Sequence, residues 1–256
     1  MIALTQPVLN VIDLTKTFDG VIALDSFDLE VNHGEIVALI GPNGAGKTTL
    51  FNIVTGFLRA DSGSIFVKGR NVTNLPPHRM DEVGVARTFQ NLRLIGGISA
   101  LANVQLSFPN QTGEHLLRGI VLSAMRVARQ ERENRAKAFE ILKEFGLEEK
   151  AFDLAGNLSY GQQKLLTFAC VLAMGADILL LDEPVAGVAP QLVEVILDKI
   201  RWLANSGKTI ILIEHNIHAV ERVADRVVFM DAGKKVVEGA PAEVLQNAQV
   251  LKAYLE

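Results

Sequence analysis

Gly41-Pro42-Asn43-Gly44-Ala45-Gly46-Lys47-Thr48-Thr49 is the most informative run in the chain. It follows the apolar stretch Glu35 to Ile40 (EIVALI) and leads into the helix-like LFNIVTGF. Glycines at this spacing let the backbone turn tightly enough for successive N–H groups to face one anion, and a helix starting near Lys47 adds its positive dipole end. Strand, glycine-rich loop and helix in that order form a phosphate-binding loop, G-x-x-x-x-G-K-[ST]. Lys47 is placed to neutralise β- and γ-phosphates, and the Thr48 hydroxyl to ligate Mg²⁺. The alternative for the same residues is a glycine-rich turn that only joins strand to helix.

Carboxylates supply the second half of a hydrolytic apparatus. Ile178 to Leu181 (ILLL) ends at Asp182-Glu183-Pro184, which puts two acids at the carboxyl edge of an apolar strand, where α/β sheets bind ligands. Asp182 suits Mg²⁺, and Glu183 is placed to orient or deprotonate an attacking water. Thr209 to Ile213 (TIILI) likewise ends at Glu214-His215, from which an imidazole can reach a γ-phosphate. A lone histidine is as readily structural. Leu158-Ser159-Tyr160-Gly161-Gln162-Gln163 precedes the helix-length KLLTFACVLAMG. Ser159 with Gln162 three residues on fits a capping box, and a capped helix start beside a glycine is also an anion site. Cys170, the single cysteine, lies within that apolar helix and reads as a packed core residue.

Positioning these groups requires a sheet. Short apolar runs (EIVALI, ILLL, TIILI and the Arg226 to Met230 run RVVFM) alternate with helix-length segments, the pattern of an α/β protein with a largely parallel sheet. The first 35 residues and Ser64 to Lys68 alternate polar and apolar, as expected of an antiparallel sheet beside the main one. Strand signal is absent from about Leu94 to Asp153. There Glu114 to Phe145 carries Phe139, Leu142 and Phe145 at helical spacing.

Composition limits what such a chain does. Its 256 residues are 49% hydrophobic and 21% charged, with mean hydropathy +0.25, which excludes a disordered or fibrous chain. A net charge of −4 offers no global attraction for nucleic acid, so any polyanion must be met locally. One cysteine excludes an internal disulfide and a cysteine zinc cluster. The greasiest stretch, Leu165 to Leu181, is broken by Gly175 and Asp177 and is too short to span a bilayer. The opening MIALTQPVLN lacks a basic leader and apolar h-region, so a cytosolic location is expected.

GPNGAGKTT, Gln90 in RTFQNLRL, LSYGQQ, ILLLDEP and LIEH stand in the order and approximate spacing of ABC-transporter ATPase subunits, which the whole chain resembles. The resemblance implies one domain over 1–256. A P-loop NTPase (RecA-like) core with an antiparallel β subdomain would occupy roughly 1–93 and 155–256, and a helical subdomain roughly 94–154. It implies ATP and Mg²⁺, with nucleotide held by Phe18 stacking on adenine and by Gly41, Pro42, Asn43, Gly44, Ala45, Gly46, Lys47, Thr48 and Thr49. Catalysis falls to Glu183, His215, Gln90 and Lys47, and the metal to Thr48, Gln90 and Asp182. Cassettes of this family pair head to tail, so Ser159, Gly161 and Gln162 would touch nucleotide held by a second ATPase subunit, identical or not.

VGVARTFQNLRL, LSYGQQ in place of LSGGQ, the long helical insert and the ending APAEVLQNAQVLKAYLE look like the longer ATPase of bacterial branched-chain (hydrophobic) amino-acid importers. Such an ATPase is peripheral on the cytoplasmic face of the inner membrane. Its partners are permease subunits docked on the segment after Gln90 and, indirectly, a periplasmic solute-binding protein; none is nucleic acid. Urea or amide importers share much of the pattern, and lipopolysaccharide export is a further alternative. Two departures stand out. Ala189 replaces the usual polar residue before Pro190, which leaves room for a nucleotide-gated structural partner with weak turnover, and Ala102 replaces a frequent acid before Asn103.

Overall fold

The computed structural model describes residues 6–88, 94–109 and 122–255. The chain divides into two compact units, one of Met1–Arg87 and Asp177–Glu256, the other of Thr88–Ala176.

In the first unit, strands β1 (Leu9–Phe18), β2 (Val21–Val31), β4 (Ser62–Val67) and β5 (Arg70–Asn71) form an antiparallel sheet in the order β2-β1-β4-β5. Phe18 pairs with Val21, and the two residues between, Asp19 (φ 44°) and Gly20 (φ 87°), both take the left-handed conformation that matches a hairpin turn to strand twist. The second sheet runs β10-β9-β3-β8-β7-β6, from β3 (Ile36–Ile40), β6 (Val85–Arg87), β7 (Ile178–Asp182), β8 (Thr209–Ile213), β9 (Arg226–Asp231) and β10 (Lys234–Gly239). Its pairings are parallel except β9 with β10. The antiparallel flank and the parallel sheet therefore both match the alternation in the sequence.

A strand buried on both faces is apolar along nearly its whole length. β3, β7 and β8 are buried throughout. Alternate residues Val37, Leu39, Leu180, Ile211, Ile213, Val228 and Met230 join one core with Leu50, Phe51 and Val54 of helix α1 (Lys47–Val54) and with Leu14, Leu24, Phe27 and Leu29 of the small sheet. Residues of the opposite parity, such as Leu179, Leu181, Leu212 and Phe229, are equally buried. Ile196, Leu197, Ile200 and Leu203 form the buried stripe of helix α5 (Pro190–Asn205).

The second unit holds α2 (Ala100–Leu106), α3 (Leu122–Glu144) and α4 (Tyr160–Ala173), which pack together. Helical spacing places a helix over 114–145; α3 accounts for it from Leu122, and 114–121 lie outside the described residues. This unit reaches beyond the expected 94–154 because it includes α4, whose Leu165, Leu166, Phe168, Ala169 and Val171 are buried and which packs on α2 and α3. Asn103 is buried and bridges Ile95 N–H and the carbonyls of Ile95 and Ser99. No helix among the described residues is long and apolar enough to cross a membrane.

Candidate functional site

Register brings the site together. Leu39 of β3 and Asp182 of β7 both lie beside Ile213 of β8, so the three strands release their chains at the same carboxyl edge. Out of β3 comes the phosphate loop, which only glycine permits at two points. Gly41 has φ 145° and a Cβ there would stand 2.0 Å from the Met230 carbonyl oxygen; Gly46 has φ 99° and its Cβ would stand 2.3 Å from the Ala23 oxygen. Gly46 then caps α1.

The loop encloses a cavity of about 210 Å³ lined by Ala23, Asn43 to Thr49, Glu183, Ile213 and His215. Lys47 lines it while only 5% exposed, donating to the Gly41 and Pro42 carbonyls at 2.7 and 2.8 Å. Burial pulls its pKa below 10.5, opposed by the charges of Glu183 and Asp182. The Thr48 side chain is exposed at the cavity.

Glu183 has φ 48°, a left-handed conformation costing about 1–3 kcal/mol for a residue with a side chain. Its N–H donates to the Ile213 carbonyl at 3.0 Å, and His215 Nε2 stands 3.5 Å from Glu183 Oε1. Desolvation, then the Lys47 charge, lowers the His215 pKa from 6.5 against the pull of Glu183. Both influences favour the neutral imidazole. The arrangement suits a phosphate ester whose terminal group lies between Lys47 and the Glu183–His215 pair, with water beside the carboxylate.

Not every expected residue is in this cavity. Phe18 ends β1, 43% exposed, with Lys16 Nζ 5.3 Å from its ring centroid, and it is absent from the cavity lining. Ser159 and Gln162 belong to the second unit. They form the capping box of α4, Ser159 Oγ accepting from Gln162 N–H at 3.3 Å and Gln162 Oε1 accepting from Ser159 N–H at 2.9 Å. Gly161 is buried in the first turn. Gln90 lies outside the described residues. Burial pushes the Cys170 thiol up to about 11 despite a hydrogen bond with Ser107, so it is a poor nucleophile.

Two site residues escaped the sequence reading. Arg87, the last residue of β6, sends one guanidinium nitrogen to Asp182 Oδ2 at 2.7 Å and another to Asn52 Oδ1 of α1 at 2.7 Å. Both ion-pair side chains are buried, and the guanidinium lies 5.4 Å from the Phe51 ring centroid. A charge closing the apolar run VGVA was the available signal. Glu214 is buried and accepts three backbone N–H groups. Desolvation, its largest influence, raises its pKa from 4.5.

The likeness to known proteins runs the length of the chain. The ABC transporter family model matches residues 24–186. The high-affinity branched-chain amino acid transport ATP-binding protein BraF of Pseudomonas aeruginosa is 36% identical, with 98% of this chain and 99% of that one covered. LivG of Salmonella typhimurium, of the same description, is 37% identical over 98% and 99%. Among solved structures, an ATP-binding cassette of an ABC transporter in its ADP conformation superposes with TM-score 0.85 at 32% identity, covering 98% and 99%. A dimeric cassette in a post-hydrolysis state with ADP and Pi does so with TM-score 0.75 at 26% identity, covering 91% and 98%. A phosphate loop, a strand-end glutamate and a histidine facing one cavity are thus matched by relatives that span the chain almost end to end, and the chain belongs to the ABC transporter family as a nucleotide-binding ATPase cassette.

Proposed function

We propose that this chain powers an importer of branched-chain or other hydrophobic amino acids. It would work as one of two paired cassettes beneath permease subunits on the cytoplasmic face of the inner membrane, with a periplasmic protein delivering the solute. One observation carries the hydrolytic part of this reading: Glu183 and His215 stand 3.5 Å apart at a cavity lined mainly by the phosphate loop. The transport part rests on relatives of that description aligned over 98% of the chain.

Loop N–H groups and Lys47 hold the β- and γ-phosphates, with Phe18 on the adenine. Glu183 orients the attacking water or takes its proton, while neutral His215 hydrogen-bonds the γ-phosphate. Donors suited to a hard cation are present in the Thr48 hydroxyl and the Asp182 carboxylate, whose Oδ2 is held by Arg87. These two would hold Mg²⁺, which when bound supplies neutralisation of phosphate charge. Ser159 accepts from Gln162 through Oγ, which leaves its O–H to donate to a phosphate on the partner cassette.

Glu183→Gln is expected to keep ATP affinity, abolish turnover and stabilise an ATP-bound dimer, measured by nucleotide titration, phosphate release and size exclusion. Lys47→Ala is expected to lose nucleotide binding. Wild-type hydrolysis by Glu183→Gln would sink the hydrolytic assignment. For the solute, the chain reconstituted with its co-purifying membrane proteins should hydrolyse ATP faster when given leucine and a binding protein. Stimulation by urea or an amide instead would overturn the amino-acid reading.

A further inference from the structure

Glu214 is a carboxylate in the core, 2% exposed, with no part in the hydrolytic scheme above. Burying a carboxylate is costly unless hydrogen bonds compensate it, and an apolar residue fills a core more cheaply. What Glu214 gains is three backbone donors from two separate loops. Oε1 accepts from Val185 N–H at 3.0 Å, two residues beyond Glu183. Oε2 accepts from His215 N–H at 3.1 Å and Asn216 N–H at 3.2 Å. Asn216 in turn caps helix α6 (Ile217–Val223), its Oδ1 accepting from Ala219 N–H at 3.1 Å.

The loops so joined are those that carry Glu183 and His215. Apart from this side chain, the backbone bond from Glu183 N–H to the Ile213 carbonyl ties them at the strand ends. Glu183 holds a left-handed φ of 48°, which persists only where surrounding bonds over-determine it. An anchor on Val185 supplies such a constraint from the far side, and the anchor on His215 aims the imidazole from the same carboxylate. Both oxygens must accept, so an amide cannot replace it: its single oxygen serves one loop while its NH₂ confronts donors of the other.

We propose that Glu214 is a positioning residue for ATP hydrolysis, a buried clamp that sets Glu183 and His215 opposite each other. This rests on the hydrolytic reading of those two residues.

The test uses the full-length chain. Glu214→Gln is expected to lower kcat by about 10- to 100-fold, as small misplacements of catalytic groups do, with affinity for a fluorescent ATP analogue unchanged. The His215 imidazole proton resonance, identified by its loss in His215→Ala, should titrate nearer its ordinary value because the ring leaves its desolvated place beside Lys47. An unmoved His215 titration, or unchanged kcat, overturns the proposal, as does a parallel fall of kcat and affinity. If Glu214→Gln does not fold, Glu214→Asp replaces it: the carboxylate remains but falls one methylene short of spanning both loops, and the same shift and a smaller loss of kcat are expected. Wild-type turnover by Glu183→Gln and His215→Ala would sink the underlying site reading. Inactive Glu183→Gln and His215→Ala beside an unaffected Glu214→Gln would sink only the clamp.

Discussion

His215 titrates where its surroundings put it. Burial and the Lys47 charge hold its pKa below 6.5, and Glu183 only partly offsets them. A histidine whose folded pKa is depressed binds fewer protons than in the unfolded chain, so its contribution to stability is present above pH 6.5 and is lost as pH falls through the folded value. The expected outcome is that the stability difference between the wild type and His215→Gln, read from denaturant midpoints, shrinks or reverses on acidification below pH 6.5. Turnover should show an acid limb in the same window, since protonation puts a second cation beside Lys47 and removes the neutral ring. The residues LIEH pointed to this histidine, but nothing in four letters indicated that its glutamate neighbour would turn inward and hold a loop 29 positions earlier.

Helix starts show how much a single side chain does for an element. Ser159 begins α4 with a complete capping box, and its pairing with Gln162 was readable because both partners lie within one turn. Helix α5 begins at Ala189, which has φ −62° and ψ 141°, the extended geometry of a capping residue, but no side chain to accept a hydrogen bond. Ala189→Asp should therefore stabilise the chain by about 1 kcal/mol, and Ser159→Ala should destabilise it by a similar amount, both measured by urea unfolding. If Ala189→Asp also changes turnover in a reconstituted pair, the missing polar group matters between cassettes as well as within α5. The strands were legible for the same local reason. EIVALI and TIILI are apolar after their first residue and ILLL throughout because both faces of the sheet are covered, and all three stand where their composition put them.

The cavity proposed to hold nucleotide is lined entirely by the first unit, Met1–Arg87 with Asp177–Glu256, so binding there should stabilise that unit by linkage. ADP at about 100 times its Kd is expected to add ~2.7 kcal/mol to unfolding, with slowed hydrogen exchange in peptides from residues 36–54 and 178–216. Lys47→Ala should abolish the effect. Unchanged exchange in those peptides at saturating ADP would remove the phosphate loop from the binding site. The division into units was only partly legible: the loss of strand signal after Leu94 marked a helical segment, but α4 joins it through apolar contacts that no boundary in composition announces.

What the sequence by itself determined was everything carried by contiguous residues: the glycine positions of the phosphate loop, the apolar strands, the acids and the histidine that end them, and the cap of α4. Tertiary structure alone decided which strand ends lie side by side, and with them the pairing of Arg87 with Asp182, 95 positions apart, and the clamp from Glu214 to Val185. Local pattern fixes backbone geometry through sterics and burial, which a short window contains. Long-range pairs depend on sheet order and register, which the packing of the whole core selects.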